Sequence, residues 1–133
     1  MSFFDRLRAL SGDEQDASSQ WVHLSEFSDL KEHVNGSGKP VLIYKHSDRC
    51  ATCFMTRRAV EQVMANYSES VHFVYVDVIR NRELSSEIAR KTSIRHESPQ
   101  VIILKNDEAV FSTSHGRIRQ DILNEEIEKQ LPG

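Results

Sequence analysis

Apolar residues in this chain recur in two rhythms, and the change from one to the other marks out the elements. Pro40-Val41-Leu42-Ile43-Tyr44 shows no polar alternation, which suits a strand covered on both faces of a sheet. Val71 to Val78 reads as a second strand and Trp21-Val22-His23-Leu24 as a short one. Elsewhere the spacing is helical. Phe27, Leu30 and Val34 follow Ser25, a candidate cap, and stop at the Gly36-Ser37-Gly38 break. From Cys50 to about Tyr67, Phe54, Val60, Val63 and Met64 stand among charged residues as in an amphipathic helix. Leu84, Ile88 and Ala89 predict another helix ahead of Ser93. Val101 to Lys105, a turn at Asn106-Asp107-Glu108 and Ala109 to Ser112 predict a β-hairpin, and Ile118, Ile122, Leu123, Ile127 and Leu131 a closing amphipathic helix.

The order β-α-β-α-β-α-β-β-α predicts an α/β fold: a mixed, mostly parallel sheet with an antiparallel C-terminal hairpin and helices on both faces. Residues 1–20 stand apart. Phe3, Phe4, Leu7 and Leu10 share helical positions and are followed by a polar run from Ser11 to Ser19. The expected organisation is an N-terminal helical arm and loop over 1–20 and one domain over 21–133, since 133 residues make one ordinary domain.

Composition narrows the function. With 38% hydrophobic and 28% charged residues and a mean hydropathy of -0.50, the chain matches soluble globular proteins. Its 17 basic and 20 acidic residues are interspersed and leave a net charge of -3, so no footprint for nucleic acid or anionic lipid is visible. No apolar run approaches the roughly 20 residues that span a bilayer. The first eight residues carry Asp5, Arg6 and Arg8 and lack a small-residue cleavage site. A cytoplasmic protein without nucleic-acid or membrane partners is expected.

The chemistry lies in the only two cysteines, which stand together as Cys50-Ala51-Thr52-Cys53. In a reducing compartment a C-x-x-C pair is redox-active or half of a metal site. A zinc site needs four N or S ligands, and the six histidines, His46 and His96 among them, lack the H-x3–5-H spacing that accompanies such a pair. The redox reading is therefore preferred and no metal is expected, with iron-sulfur bridging between two subunits kept as a minor alternative. A C-x-x-C at the end of the second strand of this order is a thioredoxin-like signature. Ser98-Pro99 lies just before the hairpin, where a cis proline would bring the Ser98 backbone beside the thiols.

Three segments carry a closer likeness: Lys45-His46-Ser47-Asp48-Arg49-Cys50, Ile94-Arg95-His96-Glu97-Ser98-Pro99-Gln100-Val101 and, more loosely, Ser114-His115. From about Trp21 onward the chain resembles the YtxJ-like proteins of the bacillithiol system, the monothiol bacilliredoxins. That resemblance implies a thioredoxin-like fold and a nucleophilic cysteine, here Cys50, that removes bacillithiol from S-thiolated cytoplasmic proteins, with the small thiol as co-substrate and no bound cofactor. The chain departs from the family's Cys-Pro-Ile-Ser, having Ala51 at the proline and Cys53 at the serine, so a resolving thiol is available. Thioredoxins carry a buried aspartate six residues before the nucleophile. Tyr44 stands there instead, so the usual proton shuttle is missing and fast reduction of protein disulfides is disfavoured.

Roles follow for the neighbouring residues. A cysteine at a helix N-terminus is stabilised as its thiolate, and Lys45 and Arg49 would add positive charge, so Cys50 should ionise well below Cys53. Ser98 and Pro99 would align the substrate backbone, and His96, Glu97 and Lys45 are candidate substrate contacts. For Lys45 a solvated strand-end lysine is the competing explanation. Arg57 and Arg58 are expected to face outward, Trp21 to pack under the sheet edge, and Ser114 and His115 to follow the last strand. His23, His33 and His72 read as ordinary surface or core residues. The leading function is reduction of mixed disulfides between proteins and a low-molecular-weight thiol, bacillithiol, glutathione or another. A dithiol protein-disulfide reductase using Cys50 and Cys53 is the first alternative, and a non-catalytic or metal-binding module of the same fold the second.

Overall fold

The computed structural model describes residues 21–24, 26–34, 38–49 and 51–132. The expected arm over 1–20, the Ser25 cap, the break at Gly36 and Ser37, and Cys50 lie outside the described residues. The strands are β1 (Val22–His23), β2 (Val41–His46), β3 (His72–Asp77), β4 (Gln100–Lys105) and β5 (Glu108–Ser114). Among the described residues the helices are α1 (Phe27–Val34), α2 (Ala51–Tyr67), α3 (Arg82–Thr92) and α4 (Gln120–Gln130), with a 3-10 turn, His115–Arg117, before α4.

The strands form one sheet in the order β1-β3-β2-β4-β5. β3 pairs parallel with both β1 and β2, whereas β4 pairs antiparallel with β2 and with β5. Four of the five strands thus run the same way, and the antiparallel strand β4 is an interior one. Successive residues of a strand face opposite sides, and each side has its own core. Leu42 and Tyr44 lie with Trp21, Val60, Val63, Met64, Leu123 and Ile127, under α2 and α4. Val41 and Ile43 lie with Phe27, Leu30, Leu84 and Ile88, under α1 and α3.

Several boundaries differ from those expected. β2 continues past the apolar run, through Lys45 to His46, because both polar side chains are buried and bonded inside the protein. The hairpin turn has two residues, Asn106 and Asp107, both with positive φ (53° and 66°). Such a turn matches the twist of the flanking strands, and Asn and Asp are the side chains that best tolerate this backbone. Glu108 accordingly pairs with Lys105 inside β5, and β5 runs on to Ser114, which pairs with Gln100. Ser114 is therefore the last residue of the strand and does not follow it. α3 begins two residues before Leu84, capped by the Asn81 side chain, which accepts from the Leu84 N–H, and ends at Ser93 in the left-handed region (φ 59°).

Candidate functional site

β2 ends where α2 is about to begin, and the last three residues of the strand organise both sides of that end. Tyr44 faces α2 and is fully buried. Its hydroxyl lies 2.8 Å from His46 Nδ1, 3.0 Å from the Cys53 carbonyl oxygen and 3.0 Å from Thr56 Oγ1. Thr56 Oγ1 also donates to the Cys53 carbonyl at 3.0 Å. His46, on the same face, places its Nε2 3.0 Å from Oδ1 of the exposed Asp48. Burial pulls the His46 imidazole below its ordinary value, against the hydrogen bond and charge of Asp48. Burial likewise raises the Tyr44 phenol strongly and lifts Tyr75 to about 12.

An aromatic wall closes this network. Trp21 stacks on Tyr44 with ring centroids 5.8 Å apart and meets Tyr75 edge-on at 5.4 Å, while its Nε1 donates to Glu61 Oε2 at 3.1 Å. The packing role expected of Trp21 is the one it has. Arg57 does not simply face outward: its guanidinium lies 5.1 Å above the Tyr75 ring and Nε donates to Glu61 at 3.2 Å. His23 is tilted against Tyr75 at 5.3 Å.

Lys45 faces the opposite side. It is 0% exposed, so the solvated strand-end explanation does not hold. Its Nζ donates to the Ser85 carbonyl at 3.2 Å and lies 3.1 Å from His96 Nδ1, and burial brings the amine down to about 8. Lys45 therefore bonds to α3 and to the loop before β4, on the face away from α2. Two of the ammonium's three donors are accounted for there. His96 Nδ1 is also 3.1 Å from Ser85 Oγ, and burial, then the Lys45 charge, lowers its imidazole against the opposing pull of Glu97.

That loop carries the Ser98-Pro99 peptide, which is cis. Register places it beside the end of β2, because Gln100 pairs with Lys45. Pro99 and Gln100 are buried. The Gln100 side chain staples the loop: Nε2 donates to the Arg95 carbonyl at 2.9 Å and Oε1 accepts from the Glu97 N–H at 3.4 Å. Glu97 accepts from Ser114 Oγ at 2.6 Å, and the His115 N–H donates to the Pro99 carbonyl at 3.2 Å. Ser98 Oγ is buried and has no hydrogen-bond partner among the described residues. A groove of about 440 Å³ opens beside this loop, lined by Arg95, Glu97, Gln100, Phe111, Ser114 and Arg117.

Of the candidate site residues, His96, Glu97, Ser98, Pro99 and Lys45 thus gather around one loop at the end of β2. Cys53 is buried in the first turn of α2, with its carbonyl held by Tyr44 and Thr56. Cys50 lies outside the described residues and is bonded to Ala51, the first residue of α2. Sequence reasoning missed the roles of His46, Thr56, Ser85 and Gln100. The polar residues retained inside otherwise apolar runs were the available signal for His46 and Gln100. Among the described residues, no three His, Cys, Asp or Glu side chains gather as a metal site would need, and no helix is long and apolar enough to cross a membrane.

Comparison with known proteins adds to this geometry. The sequence profile of the monothiol bacilliredoxin BrxC family matches residues 22–123. A solved structure described as an oxidoreductase candidate with a thioredoxin fold is 27% identical, superposes with a TM-score of 0.72, and is matched over 82% of this chain and 95% of its own. Mitochondrial thioredoxin 3 of Saccharomyces cerevisiae, 14% identical, gives a TM-score of 0.67 over 86% of this chain and 99% of that one. Fasciola hepatica thioredoxin, 22% identical, gives 0.66 over 82% and 98%. The last two establish the fold alone.

Proposed function

We propose that this chain, which belongs to the monothiol bacilliredoxin family, acts through Cys50 to strip a low-molecular-weight thiol of the bacillithiol type from S-thiolated cytoplasmic proteins. The thioredoxin fold and the family make it a thiol-disulfide redox protein. The finer reading is supported by one observation: Cys53 lies in the first turn of α2, which follows β2, and the end of β2 pairs through Lys45 with Gln100, the residue after the Ser98-Pro99 peptide.

The nucleophile must be a thiolate. Cys50 is bonded to the first residue of a 17-residue helix whose first turn holds no acidic side chain. The unpaired N–H groups and positive dipole end of such a helix favour a thiolate on the residue that precedes it. Cys50 attacks the mixed disulfide, the protein leaves as its thiol, and the small thiol stays on Cys50. The substrate backbone would lie along Ser98 and Pro99, and the guanidinium groups of Arg95 and Arg117 in the adjoining groove suit the carboxylates of a small thiol. The small thiol is a co-substrate, and the chemistry calls for no bound cofactor.

Cys53 favours a dithiol ending to the cycle, since it stands three residues after Cys50 in the sequence, in the first turn of α2, and its thiolate would displace the small thiol from Cys50. The test is release of bacillithiol from a bacillithiolated model protein, with a glutathionylated one as comparator. Wild type should release bacillithiol faster than glutathione and Cys50→Ser should release neither; release by Cys50→Ser at the wild-type rate would contradict the assignment of the nucleophile.

A further inference from the structure

Lys45 is a fully buried amine that the thiol chemistry leaves without a role. A lysine inside a fold is unfavourable unless its hydrogens are bonded, and the bonds this one makes reach two other parts of the chain. Its Nζ donates to the Ser85 carbonyl of α3 at 3.2 Å and lies 3.1 Å from Nδ1 of His96, two residues before Ser98. Ser85 Oγ lies 3.1 Å from the same ring nitrogen. One nitrogen of His96 therefore joins β2, α3 and the loop before β4.

Lys45 and Gln100 stand directly opposite in the β2–β4 pair, so their side chains leave the sheet on the same face. Together they hold three consecutive loop residues. Gln100 bonds the Arg95 carbonyl and the Glu97 N–H, and Lys45 bonds the His96 ring between them. The Gln100 staple is internal to the segment that carries Ser98-Pro99. The Lys45 contact instead ties that segment to the neighbouring strand and to α3. Without it, the Gln100 staple and the bond from Ser114 to Glu97 at the surface would hold the loop.

The contact fixes the state of the ring. An ammonium only donates, so Nδ1 must accept and the hydrogen of the neutral imidazole is on Nε2. A proton added at Nδ1 would point at a group with no lone pair, and two positive charges would face each other across 3.1 Å. Ser85 Oγ can turn to accept that proton, but Lys45 cannot, so the tie to β2 is the one that breaks. Loss of a proton from Lys45 has no such effect, because a neutral amine keeps two hydrogens for its two acceptors.

We propose that Lys45 and His96 form a clasp that positions the Ser98-Pro99 loop, and that the clasp holds only while His96 is neutral. Its role in the reaction rests on the reading that substrate lies along Ser98 and Pro99; the clasp itself does not. Both are positioning residues, since Lys45 is closed off from solvent and acts on the loop through His96. His96 as a whole is exposed, so protons reach it from water. The groups around the ring are the Lys45 amine from β2, the Ser85 hydroxyl from α3 and its chain neighbours Arg95 and Glu97. Partial burial, then the Lys45 charge, holds the imidazole below its ordinary 6.5 against the pull of Glu97. The clasp is therefore closed at neutral pH and opens as pH falls below 6.5.

Amide hydrogen exchange of the full chain tests the clasp without turnover. In wild type, protection of the amides of residues 94–100, corrected for the intrinsic effect of pH, should fall about tenfold or more between about pH 7.5 and 5.5. His96→Asn puts an uncharged carbonyl oxygen near the place of Nδ1, so its protection should not change over that range. In Lys45→Met protection should be low at both pH values. An unchanged wild-type loop, or an equal fall in His96→Asn, would overturn the clasp. The role in the reaction is read from kcat/KM with a bacillithiolated model protein. The ratio of His96→Asn to wild type cancels the ionisation of the nucleophile and should rise about fivefold or more from about pH 7.5 to 5.5, through KM rather than kcat. A constant ratio alongside a fall in wild-type protection would overturn the positioning role. Absence of turnover by wild type would instead overturn the proposed function, and the exchange data would still decide the clasp.

Discussion

Tyr44 and Lys45 are adjacent in one strand and occupy opposite chemical environments. Strand alternation sends the phenol under α2 and the amine under α3. A lysine normally marks the point where a strand leaves the core, which is why the apolar run was read as ending at Tyr44. Lys45 stays inside because the Ser85 carbonyl and His96 accept from its ammonium, and no property of its own sequence neighbourhood announces those distant partners. Burial depresses the amine from 10.5 to about 8, so the fold disfavours the charged form. The cost is fully present below pH 8 and disappears as pH rises through the unfolded value of 10.5, because over that window the unfolded chain binds the extra proton. We expect the stability of wild type relative to Lys45→Met to rise by about 3 kcal/mol between pH 8 and 10.5. Urea titrations at the two pH values measure it, and a difference that stays constant would show that Lys45 is not held in this environment.

Elements were legible in proportion to how apolar they are. β2, β3 and the hairpin announce themselves by unbroken apolar runs, and α2 and α4 by helical spacing. Their ends were less legible, because polar side chains such as His46 and Gln100 extend strands only when partners elsewhere satisfy them. The start of α3 shows the same dependence. Asn81 accepts from the Leu84 N–H at 3.4 Å and its Nδ2 donates to the Leu24 carbonyl at 3.2 Å, so one side chain caps the helix and ties it to the chain after β1. Replacing it removes both bonds. Asn81→Ala should cost about 1–2 kcal/mol in a urea titration, the size of a lost cap with a second hydrogen bond. A cost below about 0.3 kcal/mol would mean that the cap contributes little beyond what water supplies.

The whole molecule shows how a sheet order turns separated residues into one site. Placing β2 between β3 and β4 brings Lys45 to Gln100 and hence the Ser98-Pro99 loop to the start of α2, although some fifty residues separate them in the chain. The likeness carried by the segments around Cys50 and Pro99 was visible in the sequence because those segments are local. The network of Tyr44, His46, Asp48 and Thr56 was not, since it depends on which strand residues face the helix and on a strand end two residues later than the apolar run suggests. The central claim is that Cys50 accepts a small thiol from an S-thiolated protein, and intact-mass analysis of Cys53→Ser mixed with a bacillithiolated protein tests it most directly. One bacillithiol should accumulate on the variant and none on a second variant that also carries Cys50→Ser. If the mass of Cys53→Ser stays unchanged while the model protein keeps its bacillithiol, the claim is contradicted.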